Sequence, residues 1–206
     1  MKLVLATRNK GKIKEIKALM ADIPIEILSL SDFKNIPNIP ETGKTFLENA
    51  LNKAKTVASL TGHFALADDS GLCVDYLNGA PGIHSARFAG DNATDEENNK
   101  KLLTLLKDVP WEKRNAAFIC VIVLCSPEGK YYSCEGRCEG IIAFEPKGKH
   151  GFGYDPIFFL PVYKKTMAQI PLEIKNRISH RAKALKKMKE IIKNILKEEK
   201  NGEIGC

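Results

Sequence analysis

Phe64-Ala-Leu-Ala-Asp-Asp-Ser-Gly71 leads an apolar stretch directly into two adjacent carboxylates and a glycine, so a buried strand is expected to stop where charge begins. Carboxylates at such an end are costly to desolvate unless a cation or hydrogen-bond donors meet them. A fold that accepts this stretch must therefore bring cations, a metal or water to it. Two readings stand: a solvated Asp-Asp-Ser-Gly turn, or a ligand site built on Asp68 and Asp69. Successive residues of an extended strand point to opposite faces. Both carboxylates can therefore serve one ligand only if the chain turns there, and Ser70-Gly71 offers that turn.

Lys2-Leu-Val-Leu-Ala-Thr7 reads as a strand, and Ile13, Ile16, Leu19 and Met20 follow at helical spacing. The connecting turn is Thr7, Arg8, Asn9, Lys10, Gly11 and Lys12, with three cations at a helix start. Free N–H groups and the positive end of the helix dipole favour an anion there. A plain turn needs a cap but gains nothing from three cations, so phosphate binding is the favoured reading. Ile25 to Ser29 reads as a second strand, and Pro37, Pro40 and Gly43 mark a loop. Gly43-Lys-Thr45 is not a P-loop, since position 38 is Asn and no apolar strand leads in. Thr45 instead reads as an N-cap with Glu48 as its capping-box partner. The helix carries Phe46, Leu47, Ala50, Ala54, Val57 and Ala58 inward and ends near Gly62. Asn49 and Lys53, four apart, share another face that is either solvated or turned to a ligand; alone, the solvated reading is the simpler. Glu41 is a third carboxylate that can join the Asp pair.

Further on, Leu72 to Asp75 reads as a new short strand and Asn78 to Gly82 as a dense turn. Arg87 is open to a structural salt bridge or to a ligand. Thr94 and Glu97 form a capping box opening a helix through Leu102, Leu103, Leu105 and Leu106. Ala116 to Cys125 is a continuous apolar run, the pattern of a strand covered on both faces. A Pro127-Glu-Gly129 turn pairs it with Tyr131 to Cys134, and Ile141 to Phe144 reads as another strand. Gly148-Lys-His-Gly-Phe-Gly-Tyr-Asp-Pro-Ile157 mixes glycines with aromatics, which serve either as core plugs or as a slot where a nucleobase stacks. Ser179 to Lys197 is an amphipathic helix with Leu185, Met188, Ile192 and Ile195 inward and its lysines on a solvated face. His180 and Arg181 put cations in its first turn, against the dipole, a violation that often marks a functional site.

The 206 residues are long enough for a substantial core, as one domain or two closely joined lobes, and their net charge of +7 suits a polyanionic ligand. The N-terminus has no signal-peptide pattern and no run reaches membrane-spanning length, so a cytoplasmic protein without a membrane partner is expected. The six cysteines are Cys73, Cys120, Cys125, Cys134, Cys138 and Cys206, without zinc spacing. Cys120 and Cys125 read as core residues. Cys134 and Cys138 are placed to meet across a turn.

Taken in order, Thr7-x-Asn9-x-x-Lys12, Glu41, Lys53, Ala67-Asp-Asp-Ser-Gly-Leu72, Pro81-Gly-Ile-x-Ser-Ala-Arg87, Gly151-Phe-Gly-Tyr-Asp-Pro-Ile-Phe158 and Lys175-Asn-x-x-Ser-His-Arg181 resemble the inosine triphosphate pyrophosphatase family, also called XTP/dITP diphosphatases. The match covers nearly the whole chain; the basic tail after Ile195 and Cys206 lie outside it. The resemblance implies an α/β fold, an elongated mixed β-sheet with flanking helices forming two lobes around a deep central cleft, usually in a homodimer. It implies Mg²⁺-dependent hydrolysis of ITP, dITP and XTP to the monophosphate and pyrophosphate. Carried over by position, Thr7, Arg8, Asn9, Lys10, Gly11 and Lys12 would hold the phosphates, with Lys53 assisting. Asp69 would be the proton acceptor and a magnesium ligand, Glu41 a second ligand, and Ser70 a substrate contact. Phe152, Gly153, Tyr154, Asp155, Lys175, His180 and Arg181 would bind the nucleoside, chiefly its base.

The residues suit that chemistry. Water attack on a charged phosphorus is helped by positioning and charge neutralisation, which Mg²⁺, Lys12 and Lys53 can supply. Asp69 is the best-placed carboxylate to take the water's proton, with Asp68 holding the metal as well or orienting its neighbour. Two other readings predict different behaviour. A diphosphatase for other (d)NTPs would show little base preference, and a basic nucleic-acid-binding protein would bind DNA or RNA in a salt-sensitive way with no need of the carboxylates. The scattered carboxylate, cation and aromatic set argues against the second.

Overall fold

The computed structural model describes residues 1–34 and 36–202, the last four by backbone alone; Cys206 falls outside them. The expected opening forms as β1 (Lys2–Leu5) and α1 (Lys10–Met20). Asn9 caps α1, its Oδ1 accepting the Lys12 N–H at 3.0 Å. β2 (Glu26–Ser29) follows, then α2 (Phe46–Thr61), which ends at Gly62 with a φ of 66°. The Thr45 hydroxyl accepts the Glu48 N–H at 3.1 Å. The expected capping box is incomplete, because the Glu48 carboxylate accepts the Lys44 N–H at 2.6 Å rather than that of Thr45. The buried stripe of α2 includes Asn49 and Lys53, which leaves Leu47 at its margin and 39% exposed instead of inside.

The main departure from the sequence reading is at the carboxylates. One strand, β3 (Phe64–Val74), runs unbroken through Asp68, Asp69, Ser70 and Gly71, where a stop, a turn and a fresh strand at Leu72 were expected. Side chains from α1 and α2 meet the charges, so the chain has no need to leave the sheet there.

α3 (Asp95–Leu105) begins at a complete Thr94–Glu97 capping box. Leu102 and Leu106 are buried, while Leu105 is off that stripe and 48% exposed. β4 (Asn115–Cys125) is buried on both faces apart from Asn115 and Ile119. A turn at Ser126–Lys130 feeds β5 (Tyr131–Ile142), long enough to absorb the separate strand expected from Ile141. Cys134 and Cys138 both lie on β5, so four residues of extended chain, about 13 Å, separate them. They do not meet across a turn, and the described cysteines form no disulfide. β6 (Phe158–Leu160) and β7 (Lys165–Thr166) complete the sheet, and β6 pairs antiparallel with both β5 and β7. A short helix not expected from sequence, α4 (Leu172–Ile178), precedes α5 (His180–Gly202). Ser179 separates them and caps α5, its hydroxyl accepting the Ala182 N–H at 3.2 Å. Leu185, Met188 and Ile192 are fully buried, as their spacing requires.

The sheet has seven strands in the order β2-β1-β3-β4-β5-β6-β7, and β1 pairs parallel with β2 and with β3. The chain moves outward from β1 to β2 and then back past β1 to β3. Right-handed crossovers therefore place α1 and α2 on opposite faces, and the end of β1 is a topological switch point where α/β folds hold ligands.

Contacts divide the chain into two units: Met1–Asp69, Val121–Glu135 and the chain from Lys183 onward, and Ser70–Cys120 with Gly136–Ala182. The first has a core of Val4, Ala50, Ala54, Val57, Ala65 and Val123, and the second one of Leu72, Leu102, Phe118, Ile142, Phe158 and Met167. No helix among the described residues is long and apolar enough to cross a membrane.

Gly140 of β5 lies where a Cβ would come within 2.6 Å of both the Phe158 ring and the Phe159 carbonyl oxygen. Gly140→Ala should lower the unfolding free energy by about 1–3 kcal/mol, read from the chemical-denaturation midpoint. A wild-type midpoint would mean that β6 yields freely.

Candidate functional site

In the first unit, Asp68 and Asp69 are 1% and 4% exposed. Asp69 shares a strand face with Ala65 and Ala67, which pack with α2, so α2 supplies its partners. Asn49 Nδ2 donates to Asp69 Oδ2 at 3.0 Å, and Lys53 Nζ is 3.7 Å from Asp69 Oδ1. Lys53 also donates to Glu41 Oε1 at 2.6 Å and to the Asp68 carbonyl at 2.8 Å. Asp68 takes the opposite face, where Lys12 Nζ of α1 is 3.0 Å from its Oδ2. The turn that would have aimed both carboxylates at one ligand is absent, and each has its own cation instead.

Burial pushes the Asp69 carboxyl above its ordinary value; Lys53 pulls against it, and the charge of Glu41 adds to the rise. Burial also works to lower the Lys53 pKa, but Asp69, Asp68 and Glu41 together outweigh it and hold the ammonium above its usual range.

Asn49 and Lys53 are buried rather than solvated. A face reading counts apolar neighbours along one helix and cannot see carboxylates brought in by another element. The Asn49 amide is oriented by Gly43, whose N–H donates to its Oδ1 at 2.7 Å and so turns Nδ2 toward Asp69. In the turn after β1, Thr7 Oγ1 accepts the Asn9 N–H at 3.2 Å, and the Arg8 guanidinium donates to the Ile36 carbonyl at 2.8 Å. Lys10 and Gly11 open the helix, where first-turn N–H groups have no intrahelical acceptor.

The donor set bears on a metal. Glu41 and Asp69 are two hard carboxylates drawn to one ammonium, and no cluster of three or more His, Cys, Asp or Glu exists among the described residues. Such a set suits Mg²⁺, which is held by one or two carboxylates with waters and substrate phosphates completing its shell. It does not suit a closed structural zinc site.

In the second unit, the Gly151–Asp155 segment is held from inside. Asp155 Oδ2 accepts from the Phe152 N–H at 3.0 Å and from Lys175 Nζ at 2.6 Å. Gly151 has a φ of 79° and sits so close to the Asp155 carboxylate that a Cβ would collide with it. Lys175 Nζ and the Arg181 guanidinium lie 4.9 and 5.7 Å from the Phe152 ring centroid, both within cation–π range. Arg181 also donates to Ser70 Oγ at 3.1 Å, on the residue that follows Asp69 in the chain. His180 stacks on Phe118 with centroids 4.8 Å apart. Tyr154 is buried and its hydroxyl donates to the Ser85 carbonyl at 2.8 Å, while burial raises its pKa. The structure thus gathers Ser70, Phe152, Asp155, Lys175 and Arg181 into one cluster, with His180 and Tyr154 as buried neighbours.

Two contributors lie beyond the sequence pattern: Asp95 and Asn99 fall within an ordinary capped helix, although Gly153 donates to Asp95 Oδ2 at 2.6 Å and accepts from Asn99 Nδ2 at 3.0 Å. The only available signal was the run of polar residues on α3 where an inward stripe was sought.

The model of the Ham1 family matches residues 3–191. The dITP/XTP pyrophosphatase of Geobacter sulfurreducens is 55% identical over 92% of this chain and 95% of its own length, and that of Desulforamulus reducens 52% over 95% and 97%. Among solved structures, a HAM1 protein from Coxiella burnetii superposes with a TM-score of 0.87 at 44% identity, covering 94% of this chain and 99% of its own. The Staphylococcus aureus Ham1 protein gives 0.84 at 40% identity over the same shares.

Lys175 and Asp155 form an ion pair whose side chains are each 4% exposed. Removing the cation alone, as Lys175→Met, should cost about 3–5 kcal/mol because a buried carboxylate loses its partner. Adding Asp155→Asn should recover part of that loss in thermal unfolding. A double variant less stable than the single one would show that the pair is not what buries the charge.

Proposed function

The chain belongs to the Ham1 family, and on that premise we propose that it hydrolyses the non-standard purine nucleoside triphosphates dITP, XTP and ITP to the monophosphate and pyrophosphate. The observation that carries the proposal is the buried Asp69, held by Asn49 and Lys53 with Glu41 on the same ammonium. In this reading the Thr7–Lys12 turn binds the phosphates, through the N–H groups of Lys10 and Gly11 and the charges of Lys12 and Arg8, with Lys53 assisting. Arg8 exchanges the Ile36 carbonyl for phosphate oxygens, and Lys12 keeps Asp68 while its remaining ammonium donors turn to the phosphates. Asp69 accepts the proton of the attacking water, held for that task by Asn49 and Lys53.

Glu41 and Asp69 hold the metal, taken as Mg²⁺, while Asp68 holds Lys12 in place. When bound, Mg²⁺ supplies charge neutralisation on the polyphosphate. Ser70 contacts the substrate, and Phe152, Gly153, Tyr154, Asp155, Lys175, His180 and Arg181 form the nucleoside site, with Phe152 as its stacking platform. A homodimer and a cytoplasmic setting belong to the same proposal.

Base choice follows from donor and acceptor patterns. Hypoxanthine and xanthine present an oxygen acceptor at position 6, whereas adenine presents a donor. Donors of the His180–Arg181 turn pair with the former and mismatch the latter. Guanine shares the 6-oxo group, so this pairing discriminates against adenine alone.

Hydrolysis of ITP, XTP, GTP and ATP with Mg²⁺, resolving pyrophosphate from orthophosphate, tests the reaction. Pyrophosphate is expected from ITP and XTP, with little product from ATP and GTP and loss of turnover in Asp69→Asn. Orthophosphate as the only product would mean cleavage at the terminal phosphoryl group. No turnover with any base would return attention to nucleic-acid binding, the reading suggested by the net charge of +7. Arg181→Ala should lose most of the ITP-over-ATP ratio in kcat/KM; a variant that keeps the full ratio sinks the selectivity assignment.

A further inference from the structure

Gly153 has a φ of 63°, a left-handed conformation open mainly to glycine. Both of its peptide groups are taken by α3: Asp95 Oδ2 accepts its N–H at 2.6 Å, and Asn99 Nδ2 donates to its carbonyl at 3.0 Å. Asp95 and Asn99 are four residues apart, one above the other on a single helix face. The capping box at Thr94 and Glu97 fixes where that face begins. The next residue, Asn98, performs a similar task on another loop, accepting the Ala89 N–H at 2.8 Å and donating to the Ala86 carbonyl at 3.2 Å.

Side-chain packing does not fill the space between α3 and this loop. A groove of about 810 Å³ lies there, lined by Asp95, Asn99, Lys100 and Leu103 on one side and Gly151 and Phe152 among the residues on the other. The loop therefore bridges an open groove, and directional hydrogen bonds tie it to the helix. On the opposite flank Asp155 fixes the Phe152 N–H.

We propose that Asp95 and Asn99 are positioning residues for base recognition, a clamp from α3 that holds Gly153 and thereby sets the plane of the Phe152 ring. This rests on the reading of Phe152 as the base platform. Neither residue touches the base; both act through the loop backbone. Losing the clamp leaves the loop over the groove free to sample other conformations, so substrate must reorder it on binding. The cost falls on KM rather than on the chemical step.

The test is steady-state hydrolysis of dITP by the wild-type chain and by Phe152→Ala, Asn99→Ala and Asn99→Asp, each checked for folding by thermal unfolding. Asn99→Asp keeps the shape and removes the donor. Both Asn99 variants are expected to raise KM about tenfold with kcat changed by less than about twofold, the scale of one hydrogen bond. Asn99→Asp with a wild-type KM overturns the clamp, as does a fall in kcat at unchanged KM. If Phe152→Ala raises KM while both Asn99 variants leave it alone, the clamp is wrong and the base-site reading stands. If Phe152→Ala itself leaves KM unchanged, the base-site reading fails and takes the clamp with it. Should the Asn99 variants unfold, the exposed Asp95 carries the same expectation through Asp95→Ala.

Discussion

Two consecutive carboxylates buried in the middle of a β-strand impose a requirement that the first unit is built to meet. Neither Asp68 nor Asp69 has access to enough water to hydrate a charge, and strand geometry sends them to opposite faces of the sheet. Each face must therefore deliver its own compensation, Lys12 from α1 on one side and Asn49 with Lys53 from α2 on the other. That delivery is possible because the order β2-β1-β3 forces the two crossover helices apart. The same geometry brings the N-terminus of α1 and its cations to the end of β1. Topology and electrostatics point to one place.

In the second unit the governing device is backbone capture. Asp155 accepts the Phe152 N–H, Asp95 and Asn99 take the peptides on either side of Gly153, and Tyr154 reaches Ser85. Ser85 in turn accepts the Leu72 N–H at 2.9 Å, so the segment after the carboxylates belongs to the same network. A glycine-rich loop loses more conformational entropy on ordering than any other. A dense set of directional bonds is the means by which such a loop can present Phe152 beside Lys175 and Arg181 in one geometry. Specificity in the proposed reaction then depends on residues that never meet the base.

How much of this was legible depended on how local each signal was. The caps at Thr45 and Thr94 were readable because a cap is decided within four residues, although the second half of the Thr45 box formed with Lys44 instead. The apolar run of β4 and the inward stripe of α5 were readable because periodicity reports burial directly. The course of β3 was misread for a complementary reason. Adjacent carboxylates look like an ending when counted by hydropathy, yet become ordinary strand residues once cations from two helices arrive. Asn49 and Lys53 were misjudged the same way, since their partners lie on a strand that the helix pattern does not contain. Nothing in Asp95 or Asn99 announced a partner some fifty residues distant in the chain.

The amino-acid sequence by itself determined most element types, the capped starts of α2 and α3 and the chemical inventory, two carboxylates, a cationic turn and an aromatic glycine loop, because these follow from propensity, capping and residue chemistry over short stretches. It also determined the family, because the motifs recur in order along nearly the whole chain. Tertiary structure alone decided which charge meets which: that Lys12 belongs to Asp68 and Lys53 to Asp69 and Glu41, that Asn49 turns its amide toward Asp69, and that α3 grips Gly153. Hydrogen bonds and ion pairs act over about 3 to 4 Å, a distance that no spacing along the chain encodes. Those partnerships exist only once the sheet order has folded distant residues together.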